Sequence, residues 1–599
     1  MKRLFPLIIL LGCSSNVGAQ EADFAVQFGG TLQPIPPGLV YGLNDLQHTS
    51  QGVWDAWSQG VKPEGGVVRI WVQRYLGQFS KKHIDAARRA QQAGLDVMLT
   101  VVGATGDEYK KSADDSERSL KRPSDTSKWA QQLAQNVREM INAGINVRYI
   151  EIWNEPDMPF QWDGTQEQFA EFFAECGVVL REEFGHSVKI GGPGMASGWG
   201  LGMLFFEKIL DACKRHSFSP DFLSWHLYGS FASDNEYFRI PQTIQSMAET
   251  RGLGTPDTVL SEWNVSLPRP VARGMDTNVG AAYWTAVVGS LIQTPAKDAL
   301  YFFLQDGSWE ATKDFAGQSV GAFTLRGAPK STFSAMKLMG EVAKSPAVPL
   351  QRLQAPNNLV CVATRNKQQG NLLISNSPGD ILRLGRKFLA NTSLFMGDLK
   401  GKDSLLMAHL SGKTKFDKLD LSEEWRVPLV ELKKLMKALR HEEGNSNRWV
   451  TIKLDHSPVS IKRVRLIDAD HGNPIASASF RDLFRPYEVG FGKVAGRLAI
   501  EELRKQGVSS SEVAAIEQSF LSGSKEIRIV GVSATTIASA RATLNRKMAM
   551  LKTDLPVSLA AHEACRAAEV DSEDWVKIEG SKILVKVPPH SVVAVELKL

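Results

Sequence analysis

Cysteine is scarce, with five in 599 residues. Cys13, Cys176, Cys213, Cys361 and Cys565 lack the spacing of a metal-ligand set and are too sparse for a disulfide scaffold. A single disulfide stays open, without an assigned pairing, and Cys176, on the apolar face of a predicted helix, reads as a small core residue. Charge of one sign is also lacking: 70 Lys and Arg face 65 Asp and Glu, a formal net charge of +5. That balance excludes the basic footprint of a nucleic-acid binder. Beyond the N-terminus no apolar run reaches membrane-spanning length. No Gly-x-Gly-x-x-Gly follows the first strand candidate, which removes the dinucleotide-binding signature. Internal repeats and low-complexity tracts are absent too. What is present is 43% hydrophobic and 23% charged residues, ample for large cores, in a chain long enough for two or three domains.

The first residues read as an export signal. Lys2 and Arg3 precede the apolar run Leu4 to Gly12, too short to span a bilayer and suited to a signal peptide over 1–19. Two endings compete. Val17-Gly18-Ala19 resembles a small-residue cleavage site, whereas Leu10-Leu11-Gly12-Cys13 resembles a bacterial lipobox with Cys13 as the lipidated residue; the short apolar region favours the second. Both imply export from a bacterial cytoplasm, to the periplasm, an outer-membrane tether or the medium, with membrane contact only through Cys13.

The chain is organised around Tyr149-Ile150-Glu151-Ile152-Trp153-Asn154-Glu155-Pro156, an apolar β-branched run that breaks into Asn-Glu-Pro. A carboxylate there sits at the C-terminal end of a strand, where α/β folds keep their chemistry. Thr258 to Asn264 repeats the pattern and places Glu262 at a second strand end. Strands are expected at Leu39–Tyr41, Gly66–Trp71, Leu95–Val102, Val147–Trp153, Val188–Gly191, Phe222–His226, Thr258–Trp263 and Leu300–Leu304. Helical stripes separate them: Trp129, Leu133, Val137, Met140 and Ile141 form one, and Phe169 to Leu180 another, opened by a Thr165/Gln168 capping box. Eight such strands over 20–344 predict a (β/α)8 TIM barrel rather than a doubly wound open sheet. Glu155 then ends the fourth strand and Glu262 the seventh, across one mouth. Two carboxylates so placed suit glycoside hydrolysis, with a gap of about 5–5.5 Å for retaining enzymes and a wider one for inverting enzymes.

The motifs carry a more specific resemblance. Trp153-Asn154-Glu155-Pro156-Asp157 followed by Phe160-Gln161-Trp162-Asp163-Gly164-Thr165 is similar to glycoside hydrolase family 39, within clan A of the retaining glycosidases. So are Lys189 to Pro193, Asp221 to Tyr228, Ser261-Glu262-Trp263-Asn264 and the segment from Gly317 to Lys330. The resemblance implies Glu155 as general acid/base and Glu262 as nucleophile, a carbohydrate substrate and no metal or organic cofactor. It implies that Asn154 bonds the sugar 2-hydroxyl, that Arg69 and Tyr228 hold Glu262, that His226 lines the site, and that Trp309 offers a sugar platform. Asp157 departs from the family's usual Asn. Taken singly, each has a blander reading: a solvated glutamate, a structural ion pair for Arg69, a satisfied histidine, a packing tryptophan. Their joint occurrence, in order and at strand ends, favours catalysis. The family's members include β-xylosidases, α-L-iduronidases and exopolysaccharide hydrolases. An exo-acting β-xylosidase is the nearest alternative, an iduronidase fits less well, and a non-catalytic glycan-binding protein is the rival of another class.

From 345 to 599 the pattern changes to short strands, expected at Leu359–Thr364, Asn371–Ser375, Trp449–Leu454, Ile461–Leu466, Ile527–Val532, Ile583–Val587 and Ser591–Leu597. These resemble the β-sandwich that follows the barrel in the family, with His471 in a loop. Helical insertions are expected at about 426–441, 494–520 and 536–552. The first begins at Pro428 with Leu429, Leu432, Leu435, Met436 and Leu439 on one face, and Lys433, Lys434, Lys437 and Arg440 on the other. Ser509 and Glu512 form a capping box in the second.

Overall fold

The computed structural model describes residues 22–45, 47, 49–72, 78–103, 122–158, 160–196, 201–228, 236–265, 274–306, 320–325, 327–356, 358–377, 402–410, 412–434, 448–458, 460–477, 491–521, 532–553 and 565–599. Eight parallel strands close into a barrel: Leu43–Asp45, Val67–Val72, Asp96–Val101, Val147–Ile152, Lys189–Met195, Phe222–Tyr228, Asp257–Asn264 and Ala296–Tyr301. Leu43 pairs with Tyr301 to complete the ring. Helices Gln51–Val61, Lys81–Gln92, Thr126–Asn142, Gln166–Phe184, Leu201–Arg215, Glu236–Glu249, Asn278–Leu291 and Ser331–Val342 surround it. Thr165 and Gln168 cap reciprocally, as the sequence predicts.

Two strand expectations are corrected: the eighth, Leu300–Leu304, lies earlier, at Ala296–Tyr301, and the first is not a strand. Leu39–Tyr41 lies in a short helix, Pro37–Tyr41, and the first barrel strand follows it at Leu43–Asp45. Pro37 stands in the first helical turn, where its fixed φ and missing N–H cost nothing. The β-branched and aromatic side chains of Val40 and Tyr41 gave the segment a strand signature that this local constraint overrides.

Period-two alternation fills the barrel in layers. Val67, Met98, Tyr149, Phe222, Val259 and Leu300 make one apolar layer. Two residues further along the same strands stand Arg69, Thr100, Glu151, Ser224 and Ser261, all buried and all polar. That step from an apolar to a polar layer marks where the barrel's packing ends and its chemistry begins.

The second domain is two five-stranded sheets. One runs Leu350–Arg352, Phe24–Val26, Arg448–Leu454, Lys582–Val587, Val576–Glu579, and the other Leu359–Asn366, Gln369–Asn376, Ser591–Lys598, Ser460–Ile467, Ala568–Val570. Phe24–Val26 precedes the barrel in sequence yet pairs inside this sandwich, parallel to Arg448–Leu454. The second sheet faces both ways. Leu359, Cys361 and Ala363 enter the sandwich core, and Val360 and Val362, one residue out of phase, pack into the barrel's core.

The helical insertions form small cores of their own. A helix over 426–434 buries Leu429 and Leu432 with Leu406, Leu410, Phe416, Leu419 and Trp425. Its continuation over 435–441 and the expected strand Ile527–Val532, apart from Val532, lie outside the described residues. Phe491–Lys505, Ser510–Leu521 and Ala534–Thr553 pack through Ala499, Ile500, Leu503, Val513, Ile516 and Ala540. Cys176, Cys213, Cys361 and Cys565 are free and buried. No helix among the described residues is long and apolar enough to cross a membrane.

Candidate active site

At the C-terminal mouth of the barrel, Arg69 is fully buried and reaches four partners. Its Nε lies 2.7 Å from Glu151 Oε2, its Nη1 2.7 Å from Glu262 Oε2, and its Nη2 2.5 Å from Asn154 Oδ1. Asn44 Oδ1 stands 3.4 Å from Nη1. The planar guanidinium can serve acceptors on three sides at once. Glu151 was not among the expected site residues. It also accepts from Thr100 Oγ1 at 2.5 Å and from Ser224 Oγ at 2.6 Å, so its lone pairs are occupied inside the barrel.

Glu155 and Glu262 differ from it in access. Their side chains are 18% and 12% exposed, against 0% for Glu151, so only the first two can meet a ligand. Glu155 follows the strand end in a left-handed conformation (φ 49°), as does Trp153 (φ 77°). That geometry is held on both sides. Glu155 N donates to Gly194 O at 2.9 Å, and Trp153 Nε1 donates to Gln161 O at 2.6 Å. The Trp153 ring is walled in by Trp129, Trp162, Phe169 and Phe172. The aromatic run after Asn-Glu-Pro thus fixes the loop that aims Glu155.

Glu262 is aimed by a register shift. Trp225 pairs with Leu260 but His226 with Glu262, an irregularity centred on Ser261 that turns Glu262 inward. Tyr228 Oη donates to Glu262 Oε1, and His226 Nδ1 lies 2.8 Å from Glu155 Oε1. Asn154 commits its carbonyl oxygen to Arg69, which leaves its amide N–H groups for a ligand. Asp157, the departure from the family pattern, accepts from Ala196 N at 2.9 Å and so braces the neighbouring loop. Trp309 lies outside the described residues. Residues before and after its segment are tied by Lys330, buried between Asp276 (2.5 Å) and Asp306 (2.7 Å), a group the sequence reading did not single out.

Burial and charge set the protonation pattern. Burial pushes the Glu155 carboxyl up, but the His226 hydrogen bond and charge, with Arg69 behind them, hold it below the ordinary range. Burial likewise opposes ionisation of Glu151, and Arg69, His226 and the hydroxyl donors outweigh it. For His226 burial disfavours the cation, while the Glu262 charge and the bond to Glu155 raise its pKa above the usual value. His226 and Glu155 therefore hold one proton between them. Among the described residues, the grouping at metal-ligand spacing is Glu171, Glu175 and His216 on the outer helices, where Glu171 already pairs with Arg215 and His216.

A closed parallel barrel with polar groups converging at its C-terminal mouth has the layout of a barrel enzyme's active site. The family model "Glycosyl hydrolases family 39" matches residues 110–273, a stretch holding Asn154, Glu155, His226, Tyr228 and Glu262. Over that stretch the chain is similar to the glycosyl hydrolases of family 39. Solved structures share the fold across nearly the whole chain. A glucosidase from Croceicoccus marinus aligns at 15% identity and TM-score 0.54, covering 96% of this chain and 99% of its own. A GH39 enzyme from Xanthomonas axonopodis pv. citri gives 13% and 0.54, covering 96% and 97%. A monomeric β-xylosidase from Caulobacter crescentus CB15 gives 13% and 0.53, covering 96% and 99%. No curated protein sequence matches the chain.

Proposed function

We propose that the protein is a retaining glycosidase acting by double displacement on an extracellular or cell-surface poly- or oligosaccharide. The observation that carries this reading is the pair of partly exposed carboxylates, one clamped by Arg69 and Tyr228 and the other bonded to His226. Glu262, its charge balanced by Arg69, attacks the anomeric carbon. The glycosidic C–O bond breaks as Glu155 delivers a proton to the leaving oxygen, and a glycosyl ester on Glu262 results. Glu155, now a carboxylate, takes a proton from water, whose oxygen displaces Glu262 and frees the sugar. The first step needs the shared proton on Glu155 rather than His226. A sugar filling the mouth strips Glu155 of its remaining solvent and disfavours its charged form, which drives the proton that way. Asn154 offers its amide N–H to the sugar 2-hydroxyl.

An exo-acting β-xylosidase is the alternative within the same chemistry, supported by the likeness of the fold to the β-xylosidase from Caulobacter crescentus CB15. Export rests on 1–19, with Cys13 as the lipid site. The test is product size and anomeric configuration from β-linked oligosaccharides and bacterial exopolysaccharides, with wild type beside Glu155→Gln and Glu262→Gln. Hydrolysis with retained configuration by wild type alone is expected. Single sugars would indicate a closed pocket and short oligomers an open cleft. Glycan binding by wild type and both variants, with no cleavage by any, would make the chain a binding protein and sink the reading.

A further inference from the structure

Away from the catalytic mouth, helix Ser331–Val342 of the barrel meets sandwich strand Ser460–Ile467 around a half-open cavity of about 320 Å³. Its charged lining is one-sided: Lys337, Arg463, Arg465 and Arg566 face one carboxylate, Glu341. Glu341 is taken by Arg465. Arg463 turns to Glu596 at 2.9 Å, which is shared with Lys462, so that carboxylate already answers two cations. Cys565 supplies no counter-charge, because burial pushes its thiol up to about 12. Arg566 makes no ion pair with a described residue. Positive groups gathered around one half-open space repel one another. Burial lowers the pKa of Lys337, with Arg566 the smallest contribution in the same direction.

We propose that this cavity is a binding site for an oxyanion, separate from the catalytic mouth. The occupant is a carboxylate, sulfate or phosphate group whose oxygens take charge-assisted hydrogen bonds from Arg566 and Lys337, with Arg463 and Arg465 behind them. Two sources share that chemistry: an acidic sugar unit of a glycan, or a free inorganic anion. The assignment is independent of the proposed hydrolytic mechanism, since no residue of the mouth lines the cavity.

The test uses the full mature protein at fixed ionic strength, titrated with inorganic phosphate, glucuronate and neutral glucose. Thermal unfolding and calorimetry provide the readouts. Phosphate or glucuronate is expected to raise the unfolding midpoint saturably, as a ligand of the native state must. Arg566 is exposed, so Arg566→Gln should fold, weaken binding about tenfold, and leave the ligand-free protein no less stable because a repulsion is removed. Arg566→Lys should recover part of the affinity. Glucuronate tighter than phosphate assigns the site to acidic sugar, and phosphate at least as tight assigns it to a free anion. An unsaturable response, a glucose effect of equal size, or wild-type affinity in Arg566→Gln would overturn the proposal.

Discussion

Arg69 bonds Glu151, Glu262 and Asn154 through three separate nitrogens. Lys at that place offers one charged nitrogen, whereas the guanidinium meets Glu151, Glu262 and Asn154 from three edges. Arg69→Lys should leave Glu151, wholly inside the barrel, short of its counter-ion, and cost about 3–5 kcal/mol of stability. Hydrolysis should fall at least about a hundredfold as Glu262 loses its clamp. Chemical denaturation and kcat/KM on the first substrate found would check both, and a variant of wild-type stability would refute the network. The same residues set a pH dependence. Glu151 and Glu155 sit below the ordinary carboxylate value of 4.5, so their contribution is complete above it and is lost as pH falls through the folded values. His226 sits above 6.5, so its contribution is complete below that value and is lost as pH rises through the folded one. Maximal support therefore falls between about 4.5 and 6.5. The midpoint difference between wild type and His226→Gln should shrink as pH rises past that window, and a difference constant through neutral pH would disprove the coupling. Arg69 was legible in sequence because a charge interrupts Val67-Val68-Arg69-Ile70-Trp71-Val72. Glu151 breaks its own strand in the same way, beside the louder Asn-Glu-Pro; a charge on the Tyr149 and Glu151 face of a buried strand needs a partner.

At the scale of elements, Lys189–Met195 positions the mouth through its backbone. Gly194 adopts φ 63°, donates its N–H to Ser224 Oγ at 2.8 Å, and accepts from Glu155 N. A Cβ there would stand 2.9 Å from His226 Nε2 and 3.2 Å from Glu151 Oε1. Gly194→Ala should therefore combine left-handed strain of about 1–2 kcal/mol with a shift of the histidine that bonds Glu155. A displacement of this kind should lower kcat about tenfold. A variant with wild-type kcat and only a lower unfolding midpoint would show that His226 tolerates the intrusion. Most barrel strands were readable because parallel strands buried on both faces form continuous apolar runs. The first was not, since Pro37 at a helix start outweighed the strand-like Val40 and Tyr41. The register shift at Ser261 was hidden as well, because sequence spacing records no pairing and Glu262 would face outward in a regular strand.

The whole molecule is bound together by chain segments that serve two cores. Val360, Val362, Leu373, Ile467, Val592 and Ala594 of the sandwich are buried in the barrel's cluster, and their neighbours on the opposite face fill the sandwich. The N-terminal stretch adds a second tie, entering the far sheet at Phe24–Val26 before the chain begins the barrel. No local signal could have placed that three-residue strand, whose partners lie hundreds of residues away. Asp23 secures it: its carboxylate is 5% exposed, accepts from Thr451 N at 2.9 Å, and pairs with Arg448 at 2.7 Å. Asp23→Ala leaves a buried backbone N–H without its acceptor and should cost about 1–3 kcal/mol. Although the lesion lies in the sandwich, the shared core transmits it. Tryptophan fluorescence, dominated by barrel residues such as Trp54, Trp129, Trp153 and Trp263, should report the same lowered midpoint as far-ultraviolet circular dichroism. Two separate transitions, with the fluorescence midpoint unmoved, would mean that the barrel folds without the sandwich and that the common apolar face contributes little to cooperativity.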